Sequence, residues 1–161
     1  MATGDGNGWV DSGSGHRHWG RFGAAGLALL RTTPRPQVLL QLRAGWTHQG
    51  GSWGLVGGAR DSHESLAEAA LREAAEEAGV DRSQVTVLRS QTGVDHGNWS
   101  YTYVLALADD ELTVGPVTSE SEELRWVDLD DVPSLPLHIG LGATWAALRQ
   151  SIDQALAEAD A

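Results

Sequence analysis

Residues 58–80 read GARDSHESLAEAALREAAEEAGV, and the rest of the chain is organised around them. An Arg-Glu pair, Arg72 and Glu73, stands three residues ahead of a Glu-Glu pair, Glu76 and Glu77, and Gly79 follows almost at once. On an α-helix, side chains three and four apart share a face, so Glu73, Glu76 and Glu77 project together. At about 100° per residue, Ala67, Leu71, Ala74 and Ala78 fall on the opposite side, small and apolar enough to lie close against a sheet. Stacked like charges destabilise a bare helix by roughly 0.2–0.5 kcal/mol per pair, and a bound cation would reverse that penalty. On these residues alone two readings stand: a solvated acidic face, which is the commoner meaning of a Glu-rich helix, or a platform for a cation. Oxygen donors without cysteine or a local histidine pair suit Mg²⁺ or Mn²⁺ better than Zn²⁺.

The rest of the stretch favours the second reading. It resembles the Nudix box, G-x5-E-x7-R-E-U-x-E-E-x-G-U with U aliphatic. Gly58, Glu64, Arg72, Glu73, Glu76, Glu77, Gly79 and Val80 all fall in register, and Ala74 stands where a bulkier aliphatic is usual. The preceding residues, WGLVGG from Trp53 to Gly58, resemble the family's W-x-L-P-G-G with Val56 in place of the proline. The resemblance implies a single domain of the Nudix α/β/α sandwich, built around a mixed β-sheet.

Composition is consistent with this. The chain has 161 residues, 41% of them hydrophobic, enough for one cored domain. It has no cysteine, hence no disulfide framework and no thiolate chemistry, which fits a reducing cytoplasm. A formal net charge of −11 argues against nucleic-acid polymers and anionic membrane surfaces as partners. No apolar run approaches a membrane span, and the apolar segment 22–30 is expected as a core strand rather than a leader peptide.

Residues 1–19, rich in Gly, Ser and Asp, are expected to be a mobile tail ahead of a domain at 20–161. Strands are expected at 22–31 and 37–43, forming an antiparallel hairpin across a Pro-containing turn. A Gly-rich loop at 44–52 holds Trp46 and His48, and a short strand at 53–56 feeds into Gly57 and Gly58. The double glycine is expected to turn sharply and approach metal or phosphate. Asp61 and Ser62 are expected to start a helix at about residue 64 or 65, and Gly79 to cap it in the left-handed conformation. Further strands are expected at 85–92, 100–108 and 124–129, with a polar turn at 94–99 and an extended piece near 112–114. Leu141, Trp145, Leu148, Ile152 and Leu156 recur at helical spacing and predict a closing amphipathic helix.

By the resemblance, the chain is a metal-dependent, MutT-like hydrolase that cleaves a pyrophosphate bond in a nucleoside di- or triphosphate derivative, a housecleaning activity on the nucleotide pool. Glu73, Glu76 and Glu77 are then the metal-binding carboxylates, with Glu73 also a candidate for orienting or deprotonating water. Arg72 holds the glutamates in place. Glu64 is either a secondary ligand or an exposed glutamate. A further metal carboxylate is expected at Glu120, with Glu122 and Glu123 as alternatives. Gly57, Gly58, Trp46 and Trp99 are the candidate substrate contacts, while Trp53, Trp126 and Trp145 are expected in the core. His63 is expected to face solvent. The alternatives are an ADP-ribose or nucleotide-sugar pyrophosphatase, and a Nudix module that binds nucleotide without cleaving it. The small nucleotide is the expected partner, and a homodimer is left open.

Overall fold

The computed structural model describes residues 4–11, 17–46, 50–116, 118 and 121–160. Its centre is a strand with almost no polar character, Ala24–Arg31 (β3), buried at seven of its eight positions. A strand buried on both faces needs partners on both edges and cover above and below. On one edge β3 runs parallel to Ser100–Ala108 (β8), from Ala24 opposite Tyr101 to Leu30 opposite Leu107. On the other edge it pairs antiparallel with Val56–Ala59 (β6), and near its end with Gln37–Arg43 (β4). The expected hairpin between β3 and β4 is therefore present but confined to two residue pairs, because β6 occupies most of that edge. Strand Val85–Asp95 (β7) flanks β8, while Trp53–Gly54 (β5) and Ser121–Asp128 (β9) pair with β4. The sheet is mixed, with seven strands. Among the described residues, 112–114 form no strand.

Helix Leu66–Ala78 (α1) covers one face, over Leu27, Leu29, Leu39, Val56, Val104 and Ala106. Helix Ile139–Ala159 (α2) covers the other, where Trp145, Leu148 and Ile152 meet Leu30, Leu40 and Leu105. Each large apolar side chain so buried contributes about 1.5–3 kcal/mol. Alternation along β3 divides its residues between these two cores. Trp53 and Trp145 are core residues as expected. Trp126 is only half-buried, with the Arg31 guanidinium over its ring at 4.5 Å.

The start of α1 differs from expectation. The cap is Ser65, whose side chain accepts from the Glu68 N–H while Glu68 reaches back to the Ser65 N–H. Asp61 and Ser62 are turned to other partners. Gly79 ends the helix in the left-handed conformation, φ 67°, as expected. The buried sector of α1 also differs. Ala69 and Ala70 are fully buried with Ala74 and Ala78, and Glu77 lies among them at 9% exposure, while Ala67 is only partly covered. The glutamate face is the seam between helix and sheet rather than the side opposite the core.

Gly57 and Gly58 likewise are strand residues of β6 rather than a turn, paired with Gly26 and Ala25. Val56 starts that strand fully buried opposite Leu27, a position in the ladder that a proline could not donate from. Part of the expected tail is structured too: Trp9–Asp11 (β1) and Arg17–Trp19 (β2) form an antiparallel pair. The rest of that expectation, residues 1–3 and 12–16, lies outside the described residues.

Candidate active site

The box glutamates are gathered by a single cation. Arg72 directs Nε and Nη2 to the two carboxylate oxygens of Glu64, at 2.7 and 2.9 Å. Its Nη2 also donates to the Ala59 carbonyl at 2.9 Å. Its Nη1 donates to Glu73 at 2.8 Å and, more weakly, to Glu76 at 3.4 Å. The fork to Glu64 is the bidentate geometry that only arginine supplies. Those bonds push the Arg72 guanidinium above its ordinary value, and in return Arg72 holds the Glu64 carboxyl below its own, against a desolvation that works the other way.

Glu77 takes a separate position. Its carboxylate accepts the Gly57 N–H at 3.0 Å, tying the end of α1 to β6. The two glycines make that approach possible. A Cβ on Gly57 would lie 2.3 Å from the Ala25 carbonyl oxygen, and one on Gly58 would lie 2.6 Å from the Glu73 carboxyl carbon. The glycines therefore serve close packing of strand on strand and of helix on strand.

The structure thus brings together Glu64, Arg72, Glu73 and Glu76, and sets Glu77 beside them on Gly57. It places the other candidates elsewhere. Trp46 is 69% exposed in the loop after β4. Trp99 stacks on His18 with ring centroids 4.2 Å apart and donates its indole N–H to the Trp19 carbonyl, so it is engaged with the N-terminal strand pair. Glu120 and His48 lie outside the described residues. Of the alternatives to Glu120, Glu122 accepts the Gly45 N–H and Glu123 pairs with Arg125. His63 is exposed as expected, and His138 caps α2 through the Gly140 N–H. Two concavities, of about 140 and 350 Å³, share Trp126 as a wall and are lined by no box residue.

Sequence reasoning undervalued Glu64, which is buried at 9% exposure, and it read Asp61 only as a helix-start residue. The Asp61 carboxylate is buried and lies 3.8 Å from Arg72. Tyr101 is drawn in from β8, and burial, Tyr103 and Glu77 together raise its phenol above the ordinary value. The capping pair Ser65 and Glu68 was the available signal for Glu64: it moves the helix start on by one residue and leaves Glu64 in the loop that folds back over Arg72.

All the donors gathered here are carboxylate oxygens, the kind a hard divalent cation takes. Among the described residues no three of them stand ready around one point, since Arg72 engages Glu64, Glu73 and Glu76 and Gly57 engages Glu77. The donor set fits such an ion in chemistry, with Arg72 as its present counter-charge.

A fold of this kind with this cluster at the helix–sheet seam defines a Nudix protein, and the NUDIX domain model matches residues 20–147. The chain belongs to the Nudix family and is a hydrolase of pyrophosphate bonds in nucleotide derivatives. It is 52% identical over 156 residues to a Mycobacterium tuberculosis protein named "Putative 8-oxo-dGTP diphosphatase 3", covering 92% of this chain and 71% of that one. It is 47% identical to the Mycobacterium smegmatis Nudix hydrolase RenU, with a TM-score of 0.88 over 92% of this chain and 96% of that one. A Caenorhabditis elegans Ap4A hydrolase shares the fold at 23% identity, with a TM-score of 0.67 over 81% of this chain and 98% of that one. Hydrolases of this family use divalent metal ions. Among the described residues no helix is long and apolar enough to cross a membrane.

Proposed function

We propose that this chain hydrolyses a purine nucleoside triphosphate carrying an oxidised base, of the 8-oxo-dGTP class, and so removes it from the nucleotide pool. The observation that carries the hydrolytic site is the complete set of box glutamates gathered around Arg72 and Gly57 at one edge of the sheet. The substrate class is supported by the 52% identity to the M. tuberculosis relative.

Water adds across the anhydride: a new P–O bond forms, the bridging P–O bond breaks, and nucleoside monophosphate and pyrophosphate leave. Bound Mg²⁺ or Mn²⁺, held by Glu73, Glu76 and Glu77 with Glu120 as a further donor, would neutralise phosphate charge and acidify the attacking water. Glu73, half-buried beside Gly58, is the proposed acceptor of the water proton. Arg72 fixes the glutamates on a rigid helix, so that their geometry is set before substrate arrives. Trp46, exposed in the loop after β4, is proposed at the nucleoside end, with Gly57 and Gly58 at the phosphate end. A cysteine-free chain supports a cytoplasmic setting, and bound metal ions would neutralise the acidic site enough for a small anionic substrate to enter.

The test is turnover across a panel of nucleoside triphosphates, 8-oxo-dGTP, ADP-ribose, nucleotide sugars and dinucleotide polyphosphates, with each metal. The highest kcat/KM is expected on 8-oxo-dGTP, with pyrophosphate as product. A preference for ADP-ribose or a nucleotide sugar would move the chain to that substrate class. Nucleotide binding without cleavage of any member would make it a binding module.

A further inference from the structure

The segment at residues 4–8, Gly-Asp-Gly-Asn-Gly, is not part of the box, yet it lies directly on the loop that opens it. The Gly6 N–H donates to Asp61 Oδ1 at 2.9 Å. Ser62 donates its backbone N–H to Asp5 Oδ1 at 2.8 Å and its hydroxyl to the other Asp5 oxygen. The segment is held from behind by the Arg21 N–H on the Gly6 carbonyl and the Gly20 N–H on the Gly8 carbonyl, at 2.8 and 2.7 Å. Its glycines are sterically required. A Cβ on Gly4 would lie 2.0 Å from both Asp61 carboxylate oxygens, and one on Gly6 would lie 2.0 Å from the Arg60 carbonyl oxygen. A solvated tail has no need of such contacts.

Asp61 joins this segment to the cluster. One carboxylate oxygen receives Gly6, and the other faces Arg72 at 3.8 Å. Its own backbone N–H donates to Glu64 Oε1 at 3.0 Å, and Glu64 is the bidentate partner of Arg72. Asp61 and Glu64 thus pull the guanidinium toward the loop, against the pull of Glu73 and Glu76 from the helix. We infer that residues 4–8 are a positioning element of the active site: by seating Asp61 they set how Arg72 divides between the box loop and the helix carboxylates. With the segment undocked, Arg72 shifts toward Glu73 and Glu76 and neutralises the groups proposed to meet the cation. This rests on the reading of the Arg72 cluster as the hydrolytic site.

The experiment is a double-mutant cycle on the full chain, with Gly6→Ala, Asp61→Asn and the pair together. Gly6→Ala undocks the segment, and Asp61→Asn keeps an acceptor for Gly6 while removing the charge facing Arg72. A version lacking residues 1–8 reports undocking without any new side chain. Gly115→Ala, whose Cβ would meet nothing within 4 Å, is the control. In metal-free protein, Gly6→Ala is expected to remove hydrogen-exchange protection at the Ser62 amide. In turnover, each single change is expected to lower kcat about tenfold, as loss of a supporting partner does, with KM within about twofold and the half-activating Mg²⁺ concentration raised. The double variant is expected to be no slower than the slower single. Loss of Ser62 protection with kcat unchanged, or two reductions that multiply, would overturn the inference. Glu77→Gln keeps the two claims apart: full turnover in that variant sinks the hydrolytic site itself, whatever Gly6→Ala does.

Discussion

The two helices cover opposite faces of one sheet by different means. Helix α1 packs with alanines, Ala69, Ala70, Ala74 and Ala78, against a strand that presents Gly57 and Gly58. Helix α2 packs with Leu141, Trp145, Leu148 and Ile152. Small residues bury little area each but let backbones approach, which is how a glutamate on α1 reaches a backbone amide of β6. Large residues bury much area and hold the helix at a distance. The α1 face is shaped to place carboxylates, and the α2 face supplies the greater share of apolar burial that keeps the sheet in place.

That division can be broken from either side. The largest stability effect is expected on the α2 face. Trp145→Ala is predicted to cost about 3–5 kcal/mol in urea unfolding, while kcat of the folded fraction stays unchanged. On the α1 face the two glycines should separate. Gly57→Ala drives a methyl into the backbone of β3 and is predicted to cost about 1–3 kcal/mol. Gly58→Ala first meets the Glu73 carboxylate, a side-chain end rather than backbone, so its stability loss stays under about 1 kcal/mol while displacement of the carboxylate lowers kcat about tenfold. Equal stability losses at 57 and 58 would contradict the register of β6.

An effect of the same order as that of Gly57→Ala sharpens the electrostatic side. Arg72 holds Glu64 below its ordinary value of 4.5, so the stabilisation from this pair is complete above 4.5 and is lost as pH falls through the lower, folded value. Glu64→Gln is therefore expected to be less stable than the native chain by about 1.5–3 kcal/mol at neutral pH. The gap should close on acidification below 4.5. A gap that stays constant down to pH 3 would mean that Glu64 acts through packing rather than charge.

Much of this was legible in residues 58–80. The spacing of Arg72, Glu73, Glu76 and Glu77 put the glutamates on one face of a helix, and Gly79 marked the helix end, because both are local properties of a helix. The strands at 37–43 and 100–108 were equally local and appear at those bounds. What stayed hidden depends on contacts distant in sequence. Burial of Glu77 follows from how far α1 rolls on β6, which helical periodicity alone does not fix. The role of Gly57 and Gly58 as strand residues follows from pairing with Gly26 and Ala25. The docking of Gly6 on Asp61 spans 55 positions, and a polar, Gly-rich composition reads as a tail whatever it touches. The stacking of Trp99 on His18 is hidden for the same reason.

The account turns on the claim that the glutamates at the α1–β6 seam carry hydrolysis. The most direct measurement is steady-state pyrophosphate release from 8-oxo-dGTP by Glu77→Gln, alongside calorimetric binding of the same nucleotide. The amide can still accept the Gly57 N–H, so the fold and the binding are expected to persist. Turnover is expected to fall by more than about 100-fold, beyond the usual effect of a supporting residue. Turnover within a factor of about two of the native chain, with that same binding, would contradict the account.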